Sequence, residues 1–268
     1  MFKTAICTII KDEHQYLEEW IKYHLNIGFD EIWIYEDYNS SSHLDITSKY
    51  PNKVFLNRLE DIKSELKEVR CRGNKQKKTW TYFMEMYRPR FDYVAYIDVD
   101  EFITFETGYN LQKLLEEFDG CGGIYLFWKM FNANGIIDNP KTDVVTTFTQ
   151  ECGQLKKNSE PQWTLKTICD IRMRNQEFLT NHEALIGVTT DRLRTLKVRC
   201  YKKAWINHYF TRSWEEWCNR FIIRGDIISG NRKLDEFFEL NPDMLDMKNE
   251  LMEKYKEYEE KYKNNLKE

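Results

Sequence analysis

The sequence of 268 residues lacks long hydrophobic runs. Its early apolar stretch, residues 4–10, ends at the polar triplet Lys11-Asp12-Glu13. Such a stretch is too short for the apolar core of a signal peptide and far too short to span a bilayer. No other window is apolar enough to cross a membrane. We therefore expect a cytoplasmic protein, and peripheral association with the inner face of a membrane stays open.

Cysteine pairs and a dominant charge are also missing. The seven cysteines are scattered and never form a C-x-x-C pair, which argues against a disulfide framework or a zinc site and favours reduced, mostly buried thiols. The net charge of -4 argues against a general polyanion binder, so no nucleic-acid partner is expected. With 41% hydrophobic residues the chain has ample material for a core.

Internal repeats and low-complexity linkers are absent too. We therefore expect a single domain over residues 1–240, followed by a charged helical extension over 241–268. The apolar residues of this extension form a thin stripe, which is more typical of packing against its own domain or a partner helix than against a membrane.

Strand-like and helix-like segments alternate through the first hundred residues. Hydrophobic periodicity predicts strands at 4–10, 31–35, 53–57 and 93–97, and helices at 14–26 and 75–87. Later segments are mixed: helices are predicted at 110–118 and 213–224, a strand at 124–128, and extended chain at 144–148, 164–172 and 204–207. Alternation of this kind predicts an α/β fold, with a mostly parallel central sheet flanked by helices and a mixed C-terminal part.

Acidic clusters follow three of the predicted strands. Lys11-Asp12-Glu13 follows the first strand, Glu36-Asp37 follows the second, and Asp98-Val99-Asp100-Glu101 follows the fourth. In parallel sheets, ligands bind beyond the carboxyl ends of the strands. We therefore expect the three clusters to meet at one edge of the sheet.

Asp98 and Asp100 are the first candidate site residues. Positions i and i+2 of an extended segment face the same side, so both carboxylates can reach one ligand while Val99 turns towards the core. Hard oxygen ligands at a strand end suit Mg²⁺ or Mn²⁺ bridging the phosphates of a nucleotide. A bare D-x-D occurs by chance in roughly one chain in two of this length, and its ordinary interpretation is a solvated turn.

Further polar residues stand where strands end or helices begin. His208 ends an apolar strand and could supply a late metal ligand or a proton, while Arg212 stands at a helix start that favours a phosphate. In the pair His182-Glu183, Glu183 could deprotonate a hydroxyl. The alternative for these residues is ordinary hydrogen bonding. His24, by contrast, shares a helical face with apolar residues and is expected in the core.

A set of segments resembles glycosyltransferase family 92 and the related family-2-like glycosyltransferases in both order and spacing. The segments are residues 8–13, 16–24, 32–37, 96–102 (Tyr-Ile-Asp-Val-Asp-Glu-Phe) and 207–209 (Asn-His-Tyr). The resemblance covers roughly residues 4–225. It implies a GT-A fold, a nucleotide-sugar donor and a divalent cation, Mn²⁺ or Mg²⁺.

The resemblance also implies roles for individual residues. It makes Asp100 the main metal ligand, places Asp98 near the ribose or a metal-bound water, and makes His208 the late metal ligand. The remaining positions are expected at the donor. Lys11, Glu13 and Asp37 would border the nucleoside pocket, and Arg72 and Gln76 would meet the donor.

The acceptor side of the site is less defined by the resemblance. In the stretch 128–135, Asn132 stands where relatives tend to carry a glycine, so the acceptor stays open. An inverting transfer needs a base, for which Glu183 is the first candidate and His182 the second. The resemblance favours a UDP-hexose donor, galactose first, and a saccharide or glycolipid acceptor in surface polysaccharide or lipopolysaccharide synthesis.

Two other functions share parts of this pattern. A sugar-phosphate nucleotidyltransferase also combines a parallel sheet with an acidic metal pair, but it usually has a glycine-rich loop after the first strand, where this chain has Lys11-Asp12-Glu13-His14. A carbohydrate-binding protein with a degenerate site is the non-enzymatic alternative.

Overall fold

The computed structural model describes residues 1–38, 40–69, 71, 73–154, 156–157, 160–161, 164–173, 177–178, 184–185, 203–222 and 234–265. The chain divides into two compact units. The first unit comprises Met1–Trp128 and Thr164–Asn207, and the second comprises Lys129–Trp163 and His208–Glu268.

The elements alternate as expected in the first half of the chain. They are β1 (Thr4–Ile10), α1 (His14–Asn26), β2 (Glu31–Glu36), α2 (Leu44–Thr47), β3 (Val54–Arg58), α3 (Lys63–Glu68), α4 (Lys75–Tyr87), β4 (Tyr93–Tyr96), β5 (Glu101–Phe105) and α5 (Leu111–Glu117). The later elements are β6 (Gly123–Phe131), α6 (Val144–Thr147), β7 (Glu151–Cys152), β8 (Lys156–Lys157), β9 (Glu160–Pro161), β10 (Leu165–Asp170), β11 (Glu177–Phe178), β12 (Ala184–Leu185), β13 (Ala204–His208), α7 (Trp214–Ile222), α8 (Asp235–Leu240) and α9 (Lys248–Asn265).

The main sheet combines a parallel half with a mixed half. Its strand order is β3-β2-β1-β4-β10-β6-β13-β5. Neighbouring strands from β3 to β4 run parallel, whereas β10 is antiparallel to both β4 and β6. The predicted α/β class is confirmed. Because β1, β2, β3 and β4 are parallel, their carboxyl ends lie at one edge of the sheet, here called the carboxyl edge.

Helix α4 covers one face of the parallel strands. Its buried Trp80, Phe83 and Met84 belong to the same apolar cluster as Cys7 and Tyr96 from the sheet. Helix α1 is held to β5 instead, since Trp20 Nε1 donates to the carbonyl oxygen of Glu101 at 2.8 Å. Apolar packing therefore holds α4 against the sheet, and a hydrogen bond ties α1 to β5.

The second unit contains the end of β6 and the C-terminal helices. Phe131 pairs with Glu151 of β7, and Trp214 at the start of α7 packs its ring against Phe237 of α8 with 4.8 Å between the centroids. Leu251 of α9 is fully buried, as the apolar stripe in the tail predicts. Within the described part of the chain, no helix is long and apolar enough to cross a membrane.

Some local predictions were wrong. Residues 144–148 are predicted as extended, but Val144–Thr147 form α6 and Phe148 follows it as the C-cap. Thr147 N and Phe148 N donate to Asp143 O and Val144 O. Val144 and Phe148 are both fully buried, so burying side chains four residues apart prevails over the strand preference of the β-branched run. The short elements α3, β5 and α8 were not predicted.

Candidate active site

The D-x-D sequence forms a closed turn directly after β4. Glu101 N donates to Asp98 O at 3.1 Å, and Asp98 N donates to Glu101 Oε2 at 2.8 Å. Val99 is buried, whereas Asp98 and Asp100 are partly exposed. The turn therefore leaves both carboxylates partly exposed and buries Val99, as predicted, but it does so as a hydrogen-bonded turn and not as the extended segment that the prediction assumed.

Two hydrogen-bond donors orient the Asp98 carboxylate. Gln76 Nε2 donates to Oδ1 at 2.7 Å, and Lys166 Nζ donates to Oδ2 at 2.6 Å. The sequence predicts that Gln76 contacts the nucleotide-sugar donor, and the structure places Gln76 beside the D-x-D pair. Lys166 was not predicted, because it lies in β10, remote in sequence, and no motif marks it.

Lys166 is also close to a second, deeply buried carboxyl group. Its Nζ lies 3.6 Å from Glu101 Oε2 and 5.2 Å from the centre of the Trp80 ring. Burial raises the pKa of Glu101 well above its usual range, with Asp98 and Asp100 adding to the rise and Lys166 opposing it. For Lys166, burial would lower the pKa, but the carboxylates of Asp98 and Glu101 outweigh it and the pKa is raised. Lys166 thus stays charged at neutral pH.

The first turn of α4 connects the ends of β2 and β4, the two strands that flank β1 in the sheet. Lys75 Nζ pairs with Asp37 Oδ1, next to β2, while the adjacent Gln76 bonds Asp98, next to β4. Asp37 N in turn donates to Ile10 O at the end of β1, at 2.8 Å. Acidic residues from β2 and β4 therefore meet one helix start at the carboxyl edge.

The loop after β1 is joined to the loop after β2. Asp12 has a left-handed backbone (φ 53°), and its Oδ1 accepts hydrogen bonds from Ser41 N and Oγ at 3.0 and 2.7 Å. Glu13 N donates to His43 Nε2 at 3.0 Å. Lys11, which precedes Asp12 in this loop, is partly exposed. The loop predicted to border the nucleoside pocket is thus held in one conformation by its neighbour.

A buried histidine supports that loop. Because His43 Nε2 accepts from Glu13, its Nδ1–H is the donor to Glu36 Oε1, at 3.0 Å. Burial lowers the pKa of His43, while its bond to Glu36 opposes the shift. The ring of His14 stacks on that of His43, with 3.9 Å between centroids. His43 is therefore a neutral support of the loop.

His208 and Arg212 lie in the second unit, around the start of α7. His208 ends β13 and is buried. Arg212 is buried too, with φ 52°. Ser213 Oγ donates to Glu216 Oε2 at 2.8 Å and accepts from Glu216 N at 3.3 Å, which is a capping box and explains why the helix begins here. The predicted roles of His208 at a metal and Arg212 at a phosphate stay predictions.

Three predicted site residues lie outside the described residues. They are Arg72, His182 and Glu183. Their predicted roles, donor contact for Arg72 and proton transfer for the other two, rest on the sequence alone.

The D-x-D carboxylates fit a divalent cation of the magnesium type. Across the described ranges, no group of three or more His, Cys, Asp or Glu side chains could hold a metal. Mg²⁺, however, usually binds through one or two carboxylates plus substrate phosphates, without a full protein cage. Each carboxylate oxygen has two lone pairs, so Asp98 retains acceptor capacity beside Gln76 and Lys166. Asp100, with Asp98 beside it, would hold such an ion.

Two solved structures show a weak similarity to this chain. Mannosyl-3-phosphoglycerate synthase from Rubrobacter xylanophilus is 12% identical, with 52% of this chain and 43% of that chain covered and a TM-score of 0.33. Glucosyl-3-phosphoglycerate synthase from Mycobacterium tuberculosis, in complex with Mn²⁺, UDP and phosphoglyceric acid, is 19% identical, with 50% and 44% covered and a TM-score of 0.29. These likenesses are too slight to carry an inference about ligands.

Sequence relatives point to one family. A protein of Ricinus communis is 27% identical over 150 residues and one of Oryza sativa subsp. japonica is 26% identical over 149 residues; both are glycosyltransferase family 92 proteins. Each match covers 54% of this chain, which spans about a quarter of the length of these relatives. The model of the family "Glycosyltransferase family 92" matches residues 2–266. The resemblance seen in the sequence motifs is thereby confirmed, and the chain belongs to glycosyltransferase family 92.

Proposed function

We propose that this chain transfers a sugar from a nucleotide-sugar donor to a saccharide or glycolipid acceptor, with a divalent cation at the D-x-D pair. The observation that carries the proposal is the grouping of Asp37, Lys75, Gln76 and Asp98 at the carboxyl edge, with Asp100 in the adjoining turn. This edge is where α/β sheets bind nucleotides.

In this proposal, Asp37, Asp98 and Asp100 have different roles in binding the nucleotide-sugar donor. Asp37, paired with Lys75, borders the nucleoside, and the bonded carboxylate of Asp98 offers its remaining lone pairs to the ribose or to a metal-bound water. Asp100 would hold the cation, which would supply positive charge to the departing nucleoside diphosphate. Holding the donor in one orientation lowers the entropic cost of reaching the transition state.

The acceptor half of the reaction requires a base. In our proposal, Glu183 removes the proton from the attacking hydroxyl, and His182 is the second candidate. The resemblance supports a UDP-hexose, galactose first, as donor and a surface polysaccharide or lipopolysaccharide as acceptor. Work on such an acceptor would fit a cytoplasmic protein that associates peripherally with the inner face of a membrane.

The loop after β1 weighs against the nucleotidyltransferase alternative. That class usually carries a glycine-rich loop here, which wraps phosphates with backbone N–H groups. In this chain, the N–H groups of Asp12 and Glu13 are already bonded to Ser40 Oγ and His43 Nε2 at 3.2 and 3.0 Å. The loop is thus engaged with its neighbour rather than open for a triphosphate.

Calorimetry with a panel of UDP-sugars, with and without Mn²⁺, tests the proposal. A transferase should bind a donor in a metal-dependent way and hydrolyse it slowly, which mass spectrometry detects. Asp100→Ala should abolish the metal-dependent part of binding, whereas Asp246→Ala, an exposed aspartate of the second unit, should not. Unchanged affinity for the UDP-sugar in Asp100→Ala would refute the proposal. Binding of a sugar without its nucleotide would favour the carbohydrate-binding alternative.

A further inference from the structure

Lys166 carries a charge into the core of the first unit. Its side chain is 1% exposed, although lysine is almost never fully buried unless it is paired. Its partners are Asp98 at 2.6 Å and Glu101 at 3.6 Å, with the face of Trp80 at 5.2 Å. Burying an ion pair costs desolvation energy that its attraction often fails to recover, so this arrangement is a poor device for stability alone.

The geometry of the pair suggests what it does instead. Lys166 contacts both ends of the D-x-D turn: the side chain of Asp98 and the carboxylate of Glu101 that accepts from Asp98 N. Asp98 is 35% exposed and faces outward, whereas Lys166 lies beneath it. A charged donor at this distance restricts the carboxylate to one orientation. The Asp98 carboxylate is thus oriented before any ligand arrives.

We propose that Lys166 is a positioning residue for donor binding, which acts through Asp98 and does not itself touch the donor. The proposal rests on the nucleotide-sugar function proposed above. Gln76 holds the other oxygen of Asp98, so Lys166 and Gln76 together fix the plane of the carboxylate. Residues that orient a ligand-binding group commonly affect binding by 10- to 100-fold, roughly, when they are replaced.

A double-mutant cycle between Lys166 and Asp98 separates this role from a structural one. Lys166→Met should weaken Mn²⁺-dependent binding of the UDP-sugar roughly 10- to 100-fold. In an Asp98→Asn background, the same change should alter the remaining affinity by no more than about twofold, because the group through which Lys166 acts has lost its charge. Lys203→Met is the matched control, since Lys203 pairs with Glu117 elsewhere in the first unit, and it should leave binding unchanged in both backgrounds.

Folding is checked for every variant by circular dichroism and thermal melting. If Lys166→Met does not fold, the variant with both Lys166→Met and Glu101→Gln removes the buried ammonium group together with the buried carboxyl group beneath the turn, and it is compared with Glu101→Gln alone. Donor affinity equal to that of the parent protein, or a loss that adds fully to that of Asp98→Asn, would overturn the positioning role. Absence of metal-dependent binding in the unmodified chain would instead refute the proposed function, so the two failures are distinguishable.

Discussion

Gln76 donates a hydrogen bond to Asp98 at 2.7 Å, and Lys75, the residue before it, pairs with Asp37. Asp98 follows β4 and Asp37 follows β2, and β1 lies between these two strands in the sheet. The first turn of α4 therefore reaches across the end of β1 and contacts the acidic residues on either side of it.

Replacement of Gln76 tests whether its hydrogen bond to Asp98 contributes to donor binding. In Gln76→Leu, Oδ1 of Asp98 loses a donor, and the UDP-sugar KM should rise about 10-fold or more because hydrogen bonds to charged groups contribute about 1.5–3 kcal/mol. Gln112→Leu is the control, since Gln112 bonds the backbone of Phe2. Kinetics of donor use in the two variants provide the comparison. An unchanged KM in Gln76→Leu would show that Asp98 needs no such support.

Asp37 and Lys75 should contribute unequally to nucleotide binding. Asp37→Ala removes the group assigned to the nucleoside and should weaken UDP binding about 10-fold. Lys75→Met should cost less than about fivefold, because its side chain is 40% exposed and exposed ion pairs contribute at most about 1 kcal/mol.

Lys63→Met serves as the control for Lys75→Met, because Lys63 also lies over the Tyr38 ring but pairs with Glu60. UDP titration calorimetry ranks the three variants. A larger loss in Lys75→Met than in Asp37→Ala would contradict the assignment of the nucleoside to Asp37.

His24 should make stability depend on pH. Its Nε2 accepts from Ile103 N and its Nδ1–H donates to Trp20 O, and burial lowers its pKa from 6.5 to about 3. The unfolded chain therefore binds a proton that the folded chain does not, and stability falls as pH drops from about 6.5 towards 3. This contribution has a slope of about 1.4 kcal/mol per pH unit below pH 6.

Urea unfolding at pH 7, 6 and 5 measures this effect. Relative to pH 7, the parent protein should lose more stability than His24→Gln, in which position 24 cannot titrate. Parallel pH profiles for the parent protein and His24→Gln would show that another group is responsible.

Substitution of Glu183 tests its proposed role as the general base that deprotonates the acceptor hydroxyl. Glu183→Gln should reduce the transfer rate at least about 100-fold, since general base catalysis contributes about 10²–10⁴. Metal-dependent donor binding should persist, which separates loss of the base from loss of the donor site. Near-normal transfer would exclude Glu183 and direct attention to His182→Gln.

Much of the site could be predicted from local sequence. The apolar run of residues 93–97 predicted the strand β4, because hydrophobic periodicity is a local property of the backbone. The exposure of Asp98 and Asp100 was also predicted, although a hydrogen-bonded turn produces it and not extended backbone. Order along the chain also predicted that the ends of β1, β2 and β4 share an edge. The family was recognisable from spaced motifs, which depend on residue identity and not on contacts.

The contacts that orient those carboxylates could not be predicted in the same way. Asp98 and Lys166, for example, are 68 residues apart. The contact that holds the loop after β1 is also between distant residues, since Glu13 and His43 are 30 apart. A lysine within an apolar strand carries no motif, and its role appears only where β10 enters the sheet beside β4. Residues 144–148 illustrate the same limit, because burial of Val144 and Phe148 prevails over local preference.

By itself, the sequence determined the alternation of strands and helices, the acidic strand ends and the membership in a glycosyltransferase family, because backbone periodicity and residue identity are local properties. Only the tertiary structure decided which hydrogen-bond donors orient the Asp98 carboxylate. Antiparallel insertion of β10 between β4 and β6 places Lys166 beneath the turn, and the start of α4 places Gln76 beside it. Those placements depend on how distant segments pack, and packing is a property of the whole fold.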